Sequence, residues 1–163
     1  MKNIVKNLFY YYLSISVILF FSCNEQEQQK NKINFLNSKN IIILDASSYK
    51  DSTWIPTNKD LDNALKGVES FLQNPDIDDE YYLASVKKII LNIQNYTAQF
   101  SGQYRNGKRI IWCNFFPKED IKEIDYDLNK VPYLVNDGGF YHWKIIYDVQ
   151  NNKVYNFIVN GEA

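Results

Sequence analysis

Cysteine, histidine and carboxylate side chains are where chemistry usually starts, and this chain has few of the first two. His142 is its one histidine, and Cys113 is its one cysteine besides Cys23. A Cys113–His142 pair would be a nucleophile and its base, if the two met within hydrogen-bond reach and faced a substrate. The alternation around them argues otherwise. Cys113 shares a strand face with Ile111 and Phe115, which reads as core, while His142 falls in phase with Lys144 and Asp148, which reads as solvent. A thiol so placed acts as a small apolar side chain.

The acidic run Asp76, Asp78, Asp79 and Glu80 lacks the central Gly and closing Glu of a calcium loop. It suits the positive end of a helix instead. A lone histidine and a lone thiol do not make a zinc site. Asp137-Gly138-Gly139 has neither the spacing nor the Lys of a phosphate cradle and reads as a turn needing positive φ. Arg105, Lys108 and Arg109 read as a solvated hairpin tip. No catalytic residue, metal or cofactor is therefore assigned.

The elements that position these residues follow from periodicity. Thr57 with Asp60 makes a capping box, and Leu61, Leu65, Val68 and Leu72 form the stripe of a helix that Asn74-Pro75 ends. A second helix begins near Asp78, with Tyr82, Val86, Ile89, Ile90 and Ile93 as its inner face. From Tyr96 the period becomes two, and Asn106-Gly107 sets a tight hairpin. Its register places Arg105 opposite Lys108, Gly102 opposite Ile111, Phe100 opposite Cys113 and Ala98 opposite Phe115. Ile41–Leu44 reads as a short strand, Val131–Val135 as an edge strand broken by Pro132, and Phe140–Val149 with Val154–Asn160 as a second hairpin.

The expected fold is α+β: two N-terminal helices on an antiparallel sheet of four to five strands, in a single domain over residues 40–163. On the other face of the first hairpin stand Ile110, Trp112 and Phe116, opposite Gln103, Ser101 and Thr97. Three large apolar groups there either present a contact surface or form a second core layer.

The start of the chain reads differently. Lys2 and Lys6 precede an apolar stretch from Leu8 to Phe21, after which apolar residues vanish from Asn24 to Lys32. This is the order of an export signal, and the run is short of the roughly 18 residues of a membrane span. Ile18-Leu19-Phe20-Phe21-Ser22-Cys23 resembles the box of a bacterial lipoprotein (type II) signal peptide, departing from it at Phe20 and Phe21. The resemblance implies removal of residues 1–22, acylation of Cys23, a flexible tether over 23–39 and a place on the outer membrane, Asn24 standing where a retention Asp often does. More than one acyl chain is what stable anchoring needs. Loss of Lys2 and Lys6 leaves two fewer than the chain's 18 Lys+Arg against 19 Asp+Glu, a balance that argues against a nucleic-acid partner.

Val135-Asn136-Asp137-Gly138-Gly139, Tyr147-Asp148 and the ending Asn160-Gly161-Glu162-Ala163 are similar to a family of small, uncharacterised bacterial lipoproteins. Trp54-Ile55-Pro56-Thr57 and Gly102-Gln103-Tyr104 share that likeness. These are turn and core residues, so the resemblance carries fold and no catalytic residue. The helix-then-sheet order also looks like the cystatin-like fold, from which the second helix departs. The expectation is a membrane-anchored envelope lipoprotein that binds an envelope protein or glycan without catalysis. The alternatives are a hydrolase or transferase whose site the sequence does not assemble, and a protease inhibitor.

Overall fold

Thr57 opens the first helix as its sequence demands. Its side-chain oxygen accepts from the Asp60 N–H at 3.3 Å, and the Asp60 carboxylate accepts from the Thr57 N–H at 2.9 Å. The computed structural model describes residues 41–45 and 53–162, and in it this helix, α1, spans Asn58–Gln73 and buries Leu61, Ala64, Leu65, Val68 and Leu72. The expectations for the leader, Cys23 and the tether lie outside the described residues. The second helix, α2, spans Glu80–Leu91; Asp79 caps it by accepting from the N–H groups of Tyr81 and Tyr82.

Among the described residues six strands form one sheet: β1 (Ile41–Ile43), β2 (Thr53–Trp54), β3 (Tyr96–Arg105), β4 (Lys108–Pro117), β5 (Trp143–Asp148) and β6 (Lys153–Val159). The order is β1-β3-β4-β5-β6, with β2 also on β3. The α+β expectation holds at that level, with one correction: the sheet is mixed and has more strands than expected. β1 runs parallel to β3, with Ile41 opposite Ala98, while β2 pairs antiparallel further along β3. The β3–β4 register agrees with the sequence reading at every pair named above. Asn106 and Gly107 take φ of 52° and 74°, as the hairpin turn requires. Gly102 is needed for another reason: a Cβ there would run into the Trp54 carbonyl, so glycine is what lets β2 close on β3.

Both faces of the sheet are covered. The helices cover one, and aromatic rings link it from β3 to α1. Phe115 stacks on Trp143 at 3.8 Å, Phe100 meets Phe115 edge-on, and Phe157 joins Trp143 to Phe71. The segment between β4 and β5 covers the other. Val131–Val135, expected as an edge strand, is not one. Gln99, fully buried, donates to the carbonyls of Leu128 (2.6 Å) and Val131 (2.9 Å) and accepts from the Tyr133 N–H (2.9 Å). Asn114 donates to the Tyr133 carbonyl at 2.8 Å. Two amide side chains thus take the backbone groups that a ladder would have used, and Pro132 has no N–H to offer one.

Candidate functional site

The strand pairings give the sheet two distinct ends. At one end Ile41 stands beside Ala98, near the start of β3. At the other lie the Asn106–Gly107 turn and the β5–β6 turn, because Asp148 pairs with both Ile110 and Lys153. There the second half of α1 faces the β5–β6 turn across an open cleft of about 760 Å³. Gly67 makes the approach of α1 close: a Cβ would stand 3.2 Å from the Tyr147 ring and 3.3 Å from Val154.

One wall of the cleft is built before any ligand arrives. Asp148 accepts from the N–H groups of Gln150 (2.9 Å) and Asn151 (3.0 Å), and from the Asn151 amide at 2.7 Å. The Asn151 N–H is the largest reason that Asp148 sits below its ordinary carboxylate value, against the opposing effect of burial. Asn152 takes φ of 52°, and its side-chain oxygen accepts from the Tyr147 hydroxyl at 2.6 Å. The facing wall offers Ser70 and Asn74, both exposed, with Phe71 as apolar floor and Tyr155 at the rim, 40% exposed. Sequence reasoning did not find this place. Its signal was the run Asp148-Val149-Gln150-Asn151-Asn152, which is dense in turn-forming amides but silent about the helix it would meet.

A second cluster gathers around the histidine. His142 Nε2 lies 2.8 Å from Asp120 Oδ2, and the Tyr133 hydroxyl donates to the same oxygen at 2.9 Å. The side chains of His142 and Asp120 are 16% and 21% exposed, so the expected solvent position of His142 is corrected. Its Nδ1 is buried without a partner, and Gly138 lies against it so closely that a Cβ would clash. With no acceptor at Nδ1, the neutral ring carries its proton on Nε2 and donates to Asp120. Burial first, then the bond to Asp120, pushes the Tyr133 hydroxyl up to about 12. No hydroxyl or thiol faces Nδ1 to be activated, so the cluster fastens residues 118–133 to the start of β5.

The other expected residues are placed plainly. Cys113 is fully buried, its thiol bonding the Ile111 carbonyl at 3.6 Å and pushed up by burial; the structure brings His142 to Asp120 and not to this thiol. Ile110 and Phe116 are 2% and 0% exposed, and Phe116 lies under the Tyr133 ring at 4.6 Å. The chain itself therefore covers these two, as a second core layer would, and withdraws them from any contact surface; Trp112 is half-buried. Among the described residues no three His, Cys, Asp or Glu side chains are grouped to hold a metal ion. Gly138 and Gly139 take φ of 93° and 55°, the turn geometry expected of them. Arg109 of the basic tip lies over the Trp54 ring at 4.9 Å. No protein-family model, no curated protein and no solved structure matches the chain.

Proposed function

We propose that the chain is an envelope lipoprotein, acylated at Cys23 on the outer membrane, whose folded domain binds an envelope protein or glycan through the cleft between α1 and the β5–β6 turn. The observation that carries this reading is the cleft itself. It is pocket-sized by the standards of ligand sites and pre-shaped on one side. It also lies at the end of the sheet away from Ile41.

Asp148 supports the binding reading, because its carboxylate is committed to its own turn. A hydrolase using Asp148 as its proton donor would need that carboxyl protonated. Asp148 has donors on both oxygens and is held in its ionised form, so it does not serve as an acid near neutral pH. The anchor is tested by feeding cells an alkyne fatty acid and isolating the full chain. Label is expected on the wild type and absent from Cys23→Ser. Equal labelling of both would overturn the anchor.

A further inference from the structure

We infer that the ligand of the cleft is a neutral oligosaccharide, an assignment that rests on the binding reading above and narrows it. The cleft presents the groups that hydroxyl-rich rings bind best. Among the described residues the Asn74 amide and Ser70 hydroxyl take no hydrogen-bond partner, and Asn152 accepts through its oxygen from Tyr147, leaving its N–H groups to the cleft. Side-chain amides both donate and accept, which matches vicinal hydroxyls that do the same. Phe71 and Tyr155 add the flat apolar surface on which the C–H face of a sugar ring rests.

Charge selects among sugars. Among the described residues lining the cleft, Lys153 is the single cation, against Asp76 and Asp148. An excess of carboxylates repels uronic or phosphorylated chains. Asp148 is already saturated by its own turn, so its charge asks for no cationic partner either. Size argues against a protein partner. A stable folded partner engages about 20–30 residues a side, whereas eleven described residues line this cleft.

Isothermal titration calorimetry on the detergent-solubilised full chain tests the assignment with maltoheptaose, cellohexaose, chitohexaose and mannohexaose, and with oligogalacturonate as the charged probe. At least one neutral probe should bind. Tyr155→Ala and Asn74→Ala should each weaken it by about tenfold, equivalent to about 1.4 kcal/mol, while Ile55→Ala should leave it unchanged. Both cleft side chains are exposed, so circular dichroism should show these variants folded. Silence from every neutral probe at millimolar concentration, or binding of oligogalacturonate alone, overturns the glycan assignment. Silence together with an envelope protein that co-purifies with wild type and is lost from Tyr155→Ala overturns the glycan but keeps the binding reading. Release of shorter sugars in the cell overturns the binding reading itself.

Discussion

The two faces of the sheet are held by different physics. Under the helices, Phe100, Phe115, Trp143 and Phe157 touch ring to ring. On the opposite face Thr97, Gln99, Ser101 and Asn114 are buried, and amide hydrogen bonds hold an irregular segment in place. Apolar packing is spread over many weak contacts and fails globally. A polar clamp concentrates its effect on a few groups, so removing one frees a defined stretch.

The comparison is broken most severely at its apolar side. Phe115→Ala removes a fully buried ring stacked on Trp143, and should cost about 3–5 kcal/mol in urea unfolding. Gln99→Leu keeps the volume but orphans the Leu128 and Val131 carbonyls and the Tyr133 N–H. Its cost should be about 2–3 kcal/mol, and hydrogen exchange should rise over residues 128–133 while β3 and β4 stay protected. Asp120→Ala cuts both His142 and Tyr133 loose and should cost about 2 kcal/mol.

Tyr133 gives that region an alkaline signature. Its folded value of about 12 lies above the ordinary 10.0, so the folded state holds the phenol proton more tightly. That stabilisation is complete below pH 10 and fades as pH rises toward 12; Tyr133→Phe should flatten the loss seen in alkaline unfolding curves. The smallest effect is expected at the cleft turn. Asp148 is depressed when folded, so its stabilisation is present above its ordinary value of 3.8 and fades as pH falls through the lower folded value. Asp148→Ala should cost about 1 kcal/mol at neutral pH, and the gap from wild type should close in acid.

The same contrast explains what could be read in advance. The hairpin register was legible because Asn106-Gly107 permits one turn and the alternation beside it one inward face. The first helix was legible because its capping box and apolar stripe agree. These signals are local. Val131–Val135 misled because β-branched and aromatic residues suggest a strand, while Gln99, which claims its backbone, is distant in sequence. His142 was misplaced because alternation was carried past the true start of β5 at Trp143. The direction of β1 was beyond reach, since a run of three isoleucines pairs either way. The cleft was hidden for the same reason as the clamp: Ser70 and Asn74 meet Asn151 and Asn152 only after folding.

The claim that binding belongs to the cleft, and not to the clamped face, is tested most directly by crosslinking in living cells. A photoreactive benzoylphenylalanine would replace Tyr155 at the cleft rim in one full-length protein, and Tyr126 in the segment between β4 and β5 in another. These side chains are 40% and 39% exposed, so reactivity alone does not separate them. A light-dependent adduct at position 155 and none at 126 is the expected result. An adduct at 126 with none at 155 would place the binding surface on the wrong face for this account.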